Sequence, residues 1–291
     1  YWYDQDDDGL GAGPSHEYCA GDEPDGWVAS NNDQWPACPD DGTDPYDQFA
    51  ICGGDGTIQG AVDAANTGDT VSVPDGTYAE SINISSSVAV VCEGNCTIDA
   101  RGVSGSAVVI AAVGATLNGF TISGDETMYA GVVVTPSCQG VMVSNNTIFG
   151  MTLPNPGNDS PLSYGILAYG TSETEMPMGL TFSGNEIYGV AGAAISLGSY
   201  TYSTTITGND LHDILPVDFL GEQLSTGVQS EFAAELNISG NTFGNLYIGT
   251  SLLVSQGSVS GNTYSNVVSL HTATYPSYVI FDEDIDWWQT F

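Results

Sequence analysis

The sequence has almost no positive charge. Thirty-six Asp and Glu stand against one cation, Arg101, and there is no lysine, so the formal net charge is −35 over 291 residues. Phosphate-backbone contacts need Lys and Arg, which excludes nucleic acid as a partner and disfavours anionic membrane surfaces. Long apolar runs are missing as well: nothing approaches the roughly 18 consecutive apolar residues of a membrane span, and no membrane insertion is expected. The motifs GxSxG, the P-loop, the dinucleotide fingerprint and HExxH do not occur, so no cofactor-binding residues are assigned. CxxC pairs are also absent, although six cysteines occur, at 19, 38, 52, 92, 96 and 138. An even set without metal or redox spacing points to disulfides in an oxidising compartment. Cys92 and Cys96 enclose only Glu93-Gly94-Asn95 and suit a local staple, while Cys19 with Cys38 would close the N-terminal segment. Tyr1 follows no basic-then-apolar leader, which reads as the mature form of a secreted, extracellular or cell-surface protein.

What is present can fold. Apolar and aromatic residues make up 41% and there are 37 glycines, enough to bury a core and against the composition of disorder. Five Asn-x-Ser/Thr sequons, at Asn83, Asn95, Asn145, Asn158 and Asn237, permit a glycoprotein where the host has the machinery.

The chain changes texture along its length. Residues 1–52 are dense in Asp, Pro, Trp and Cys, with no hydrophobic period. From Gly53 one short amphipathic helix is expected, Thr57 to Asn66, with Ile58, Ala61, Val62 and Ala65 on one face; alternating strand pieces VSV and SINI follow. Beyond them an imperfect repeat emerges: VMVSNNTIFG from Val141, LTFSGNEIYG from Leu180, TTITGNDLHD from Thr204, ELNISGNTFG from Glu235 and GSVSGNTYSN from Gly257. Asn146, Asn185, Asn209, Asn241 and Asn262 fall at its fixed corner, and glycine-led strands follow at Gly131, Gly165 and Gly192. Coils of roughly 20 to 25 residues with loop insertions make a solenoid period. Stacked parallel strands place like residues in rows, so each corner Asn can hydrogen-bond the corners above and below it. Glycine and asparagine there tolerate the positive φ of a tight corner. The alternative is an antiparallel sandwich with Asn-Gly hairpins, against which the constant phase of the Gly-Asn corner argues. The fold class is therefore all-β, a parallel β-helix over residues 53–270, with a C-terminal cap or assembly strand over 271–291.

The entry segment TGDTVSVPDGTYAE and the following TIDARGVSGSAVVIAAVGATLNGFTISG resemble the start of pectin-lyase-like right-handed parallel β-helices. That resemblance covers about residues 53–270 and implies a helix capping the N-terminal end of the solenoid. It implies no single activity, since the fold hosts lyases, hydrolases, esterases, epimerases, adhesins and proteins without catalysis. Residues 1–47 separately resemble a metal-binding motif of secreted bacterial proteins, similar in style to thrombospondin calcium repeats: WYDQDDDGLG, Cys19, DGWV from Asp25, and CPDDGTD from Cys38. Ala37 and Pro39 depart from that pattern around the second cysteine.

Asp4, Asp6 and Asp8 alternate before Gly9, a spacing that wraps three carboxylates around one hard cation, with a backbone carbonyl next, here Leu10. Ca²⁺ is the expected ion; Asp40, Asp41 and Asp44 would complete its shell or hold a second ion. Ser15, twelfth in the loop, cannot supply the bidentate carboxylate of an EF-hand.

Catalytic residues are harder to find. Uronate lyases of the resembled fold use an Arg or Lys base near calcium, and only Arg101 exists; beside Asp99 it reads as a structural partner. Hydrolases need clustered carboxylates, for which Asp210 and Asp213 around His212, with Asp218 and Glu222 in the next loop, are the candidates. His16 and His271 have no constellation and are expected at the surface. The leading reading is a calcium-stabilised, self-associating homo-oligomer or homopolymer, a filament, sheath or adhesin subunit. Its alternative is a polysaccharide lyase or hydrolase, or a carbohydrate-binding protein. At the C-terminus YVIF, then acids, then Trp287, Trp288 and Phe291 would either fold back as a cap or dock on a neighbouring subunit.

Overall fold

A computed structural model describes all residues except 8, 19–21, 31–37, 39–45, 53, 154–162, 220–221, 275–276 and 282–291. It divides into two compact units, residues 1–64 and 65–291.

In the first unit Trp2–Tyr3 pairs antiparallel with Trp27–Val28. Trp27 gathers the edges of Tyr3, Tyr18 and His16, with ring centroids at 5.8, 5.4 and 4.8 Å, a geometry that aromatic quadrupoles favour. Cys38 is bonded to Cys52. The expected Cys19–Cys38 closure is thereby overturned: Cys38 bridges forward over 14 residues, and Cys19 lies outside the described residues. The Asp47 carboxylate gathers the intervening turn by accepting from the N–H groups of Phe49, Ile51 and Gly56 at 2.8, 2.9 and 3.1 Å. The helix forms over Ile58–Ala64 and buries Ile58, Ala61 and Val62. Thr57 starts it as an N-cap, its Oγ1 accepting from the Gly60 N–H at 2.9 Å.

The second unit is a coiled stack of parallel strands with three faces. The first face is a nine-stranded sheet: Thr70–Val73, Ala89–Cys92, Thr116–Asn118, Met142–Ser144, Thr181–Ser183, Thr205–Thr207, Leu236–Ser239, Gln256–Ser260 and Tyr278–Phe281. The second face carries Gly76–Tyr78, Cys96–Asp99, Thr121–Ser123, Thr147–Phe149, Glu186–Tyr188 and Asp210–His212. The third carries Ile82–Ile84, Gly105–Ile110, Met128–Val134, Ser163–Ala168, Gly192–Leu197 and Thr226–Glu231. In the last two complete coils the second and third faces merge into the long strands Thr242–Leu253 and Thr263–Thr274. Each strand pairs in parallel with its counterpart one coil away, as for Ile122 with Ile98 and Ile148, and parallel crossovers of this kind wind right-handed. The sandwich alternative is excluded; among the described residues the antiparallel pairing of this unit is confined to the small hairpin Val217–Phe219 with Glu222–Leu224 and the isolated bridge Ser172–Glu175.

Sequence alternation becomes rows of like residues inside. On the second face the interior row is Ile98, Ile122, Ile148, Ile187, Leu211 and Phe243, all fully buried; each such side chain stabilises by about 1.5–3 kcal/mol. The glycines of the third face make room for that row. A Cβ on Gly131 would come within 2.4 Å of Ile148 Cγ2, on Gly165 within 2.4 Å of Ile187 Cγ2, and on Gly227 within 2.4 Å of Phe243 Cδ1.

The corner between first and second faces is held by a ladder of amides. Asn146, Asn185, Asn209 and Asn241 are each 1% exposed. The Oδ1 of each accepts from a backbone N–H one coil earlier: Phe120 to Asn146 at 2.9 Å, Asn146 to Asn185 at 3.1 Å, Asn185 to Asn209 and Asn209 to Asn241 at 2.9 Å. Asn262 takes the Asn241 N–H at 2.9 Å. Nδ2 donates along the same line and also to a strand carbonyl, Val143 for Asn185 and Phe182 for Asn209. The residue before each rung has positive φ: Asn145, Gly184, Gly208, Gly240 and Gly261. At the corner after the third face the same backbone region is filled by Tyr200, Phe232 and Val254, with φ of 62°, 51° and 48°, bulky residues that pay roughly 1–2 kcal/mol each to sit there.

Cys92–Cys96 is formed, as its spacing predicts, and closes the turn between two faces of one coil. Cys138 is a free, buried thiol, so the even set does not pair completely. His271 is also a correction. It is fully buried, with Nδ1 2.8 Å from Thr250 Oγ1 and the Phe281 ring 4.7 Å away; the interior row Val108, Val132, Ile166, Ile195, Val228, Thr250, His271 turns polar at its end. Exposed His16 is as expected.

Candidate functional site

On the second face, outward side chains fall in two rows, and the coil register decides which of them meet. Glu186 sits beside Asp210, so two carboxylates start about 4.8 Å apart at the backbone. In the neighbouring row Phe149, Tyr188 and His212 stack ring upon ring, with centroids 5.2 and 5.3 Å apart and planes within 8° and 9°. His212 Nδ1 lies 2.7 Å from Asp213 Oδ2, and Nε2 lies 3.5 Å from Glu186 Oε1. Burial works against the charged imidazole, but hydrogen bonds to Asp213 and Glu186 and the charge of Asp210 outweigh it, and the His212 pKa is raised. Asp213 is pulled below the usual carboxylate range, first by His212 and then by Asn245.

Asp213 begins a second ladder. Asn245 Nδ2 donates to Asp213 Oδ1 at 3.0 Å, and Asn266 Nδ2 donates to Asn245 Oδ1 at 3.0 Å. All three have φ between 51° and 56°. Beside this ladder an open cleft of about 410 Å³ is lined by Ile214, Pro216, Asn245, Tyr247, Asn266 and Val268. Asp210, His212 and Asp213 are thus brought together, and Glu186 and Tyr188 join them. The signal for these two was present: stacking NEIYG on NDLHD places Glu186 over Asp210 and Tyr188 over His212. Asp218 stands on the small hairpin.

Arg101 does not join this group. It clasps Asp99 in a two-pronged pair, Nε to Oδ1 and Nη2 to Oδ2, both 2.7 Å, and holds the Asp99 pKa at about 2. Asp99 shares the row of His212 but lies four coils away, about 19 Å at 4.8 Å per coil. The sole cation of the chain is committed to a structural partner.

Of the expected calcium ligands, Asp4, Asp6 and Leu10 are described, while Asp8, Asp40, Asp41 and Asp44 lie outside the described residues. The Asp4 carboxylate is buried and drawn into its loop, accepting from the N–H groups of Asp7 at 2.7 Å and Gly9 at 2.9 Å. Asp7 and Gly9 take φ of 68° and 89°, curling the loop around it. Among the described residues no group of three or more His, Cys, Asp or Glu is placed to share a metal, and no helix is long and apolar enough to cross a membrane.

This unit is a parallel β-helix by its own strand pairing. No family model matches the chain, and no curated protein matches it. Solved structures similar to it include the Dettilon tailspike protein, 13% identical with TM-score 0.49 over 77% of this chain and 41% of that one. The alginate lyase from Paenibacillus sp. str. FPU-7 is 12% identical with TM-score 0.41 over 79% and 96%. Pectate lyase Pel9A is 12% identical with TM-score 0.31 over 77% and 72%. The chain spans about two fifths of the tailspike's length. Likeness this distant concerns the course of the backbone and assigns no activity.

Proposed function

We propose that this protein is an extracellular structural β-helix that associates with itself to build a filament, sheath or adhesive surface. The observation that carries this reading is where the charge is not. In a chain of net charge −35, residues 236–281 contain no Asp, Glu, Lys or Arg. Those residues form the last coils of the stack. Self-repulsion keeps highly charged proteins apart, and these coils themselves carry none of that charge; the acids that follow them in sequence, Asp282, Glu283, Asp284 and Asp286, lie outside the described residues. Calcium would be held by Asp4, Asp6, Asp8 and the Leu10 carbonyl, with Asp40, Asp41 and Asp44 nearby in sequence; the buried Asp4 carboxylate in its curled loop fits a hard, oxygen-seeking cation. The ion would neutralise the crowded first loop, and the helix Ile58–Ala64 would serve as the entry cap. Sedimentation and negative-stain imaging of the purified chain with calcium test the proposal: regular assemblies or discrete oligomers are expected, and a monomer at every concentration refutes it.

A second reading is favoured by the cluster on the second face. Glu186, Asp210 and Asp213 around His212, beside an aromatic stack and an open cleft, offer hydrogen bonds and apolar surface to a neutral glycan, as a binding site or as the acid and base of a hydrolase. Retention of a neutral polysaccharide, lost in Asp210→Asn and Asp213→Asn, would support it; released product would make it an enzyme. The absence of a free cation disfavours a uronate lyase.

A further inference from the structure

The outward row that carries the ring stack is interrupted at one place. After Phe149, Tyr188 and His212 the coil register continues through Gly244 to Ser265, so the stack ends against a residue with no side chain. Neither usual reason for a glycine applies strongly there. Its φ lies outside the left-handed region. Among the described residues a Cβ on Gly244 would meet His212 Cβ at 3.3 Å and the Ser265 carbonyl at 3.9 Å. A few tenths of an ångström relieve that contact, whereas the approach at Gly131, Gly165 and Gly227 is 2.4 Å. What the glycine does is leave one face of the His212 ring with no side chain of its own row over it, and the His212 side chain is 26% exposed. From His212 to Ser265 is two coils, about 9.6 Å at 4.8 Å per coil. That gap has room for one more ring at the 5.3 Å spacing already present between Tyr188 and His212. Asp210, Thr242 and Ser265 are exposed around it. Asn245 and Asn266, which follow Gly244 and Ser265 in the chain, line the adjoining cleft.

We propose that this gap is a subsite for one pyranose ring of a neutral glycan, the sugar lying where the side chain is missing with its C–H face on the His212 imidazole. This inference rests on the glycan reading of the second face and narrows it to one position. A pyranose has an apolar face and a fringe of hydroxyls. The imidazole takes the first, as it takes the Tyr188 ring on its other side. The Asp210 carboxylate and the hydroxyls of Thr242 and Ser265 take the second. A wholly apolar ligand would cover that carboxylate without offering it a donor. An anionic sugar would meet Glu186, Asp210 and Asp213 around His212, while the one arginine is clasped by Asp99 four coils away.

Isothermal titration calorimetry of the full chain with neutral hexasaccharides of glucose, mannose and galactose tests the subsite, using Gly244→Tyr to supply the missing ring from the chain itself. His212 is one of three histidines, so its ring protons can be followed by NMR and assigned from His212→Gln. The expected result is that at least one hexasaccharide binds, and that Gly244→Tyr weakens it at least ten-fold with unchanged circular dichroism and no lower melting temperature. The His212 ring protons should shift saturably with the sugar while those of His16 and His271 stay in place. Binding that survives in a folded Gly244→Tyr, or that leaves the His212 signals unmoved, overturns this subsite; the glycan reading then still stands on loss of binding in Asp210→Asn. A chain that binds none of the sugars overturns both. Should Gly244→Tyr fail to fold, the His212 titration in the unaltered chain decides.

Discussion

Replacing Asn209 by Ala removes the middle rung of the corner ladder. Its Oδ1 accepts from the Asn185 backbone N–H and from Asn185 Nδ2, both at 2.9 Å. Its Nδ2 donates to the Phe182 carbonyl and to Asn241 Oδ1, also at 2.9 Å. After truncation Asn185 Nδ2 keeps Val143, and Asn241 Oδ1 keeps the Asn209 backbone N–H. The buried Asn185 N–H loses its Oδ1 acceptor, and the Phe182 carbonyl loses its amide donor. A stranded buried donor costs about 1–3 kcal/mol and each lost bond about 1 kcal/mol, so the change costs on the order of 4 kcal/mol. At roughly 2–4 °C per kcal/mol for a unit of this size, the melting temperature falls by on the order of 10 °C. Asn262→Ala breaks the same kind of contact, from Asn241 N–H and Nδ2 at 2.9 and 3.0 Å, but at a half-buried rung that water reaches. It costs about 1–2 kcal/mol. Asn209→Asp keeps the acceptor and turns the donor into an oxygen facing Phe182 O and Asn241 Oδ1, so at neutral pH it destabilises at least as much as Ala. Thermal and urea unfolding followed by circular dichroism measure all three. If Asn209→Ala and Asn262→Ala agree within about 0.5 kcal/mol, or Asp is tolerated like Asn, the ladder is a by-product of the fold and the reasoning fails.

Other outcomes follow from the same contacts. His212 has a raised pKa, so its contribution to stability is complete below the ordinary value near 6.5 and is lost as pH rises through the folded value; an NMR titration should show the elevated midpoint, and Glu186→Gln should lower it. Asp99 is depressed to about 2, so its contribution is complete above about 3.8 and fades as pH falls toward 2; in Arg101→Gln the carboxyl should titrate near the ordinary value by carbon-13 NMR. Converting Cys92 and Cys96 together to Ser should cost about 2 kcal/mol by the loop-closure model, read from denaturant midpoints. Calcium at about 100 times its dissociation constant should add about 2.7 kcal/mol to a unit that binds it, and Asp4→Asn should abolish the shift seen on adding EDTA; an unchanged melting curve with EDTA would remove calcium from the account.

The sequence carried the solenoid because coil stacking converts one local requirement into a repeated one. A corner that needs positive φ selects Gly or Asn, and the next residue must be an amide to satisfy the corner on either side. Asn185, Asn209 and Asn241 could therefore be aligned by eye, and the aligned letters already placed Glu186 over Asp210. The second ladder was less legible, because Asp213, Asn245 and Asn266 share a backbone conformation rather than one residue type. His271 was misplaced at the surface since nothing local marks a strand's inward phase when the interior row itself becomes polar. The Cys38–Cys52 pairing was out of reach because spacing constrains short loops and says little about a segment without hydrophobic period. The neutral stretch 236–281 was plainly visible, yet its meaning depended on knowing that it forms the final coils.

The corner ladder has one more consequence, for how such a chain can change over time. Consecutive rungs are separated by 39, 24, 32 and 21 residues, yet every rung bonds its neighbour in the same way. Extra length is absorbed outside the stack, as between Asn209 and Asn241, where the additional residues include the small hairpin Val217–Phe219 with Glu222–Leu224. Insertions can therefore be lengthened, swapped or lost without renegotiating the interior, so surface chemistry and scaffold are free to evolve at different speeds.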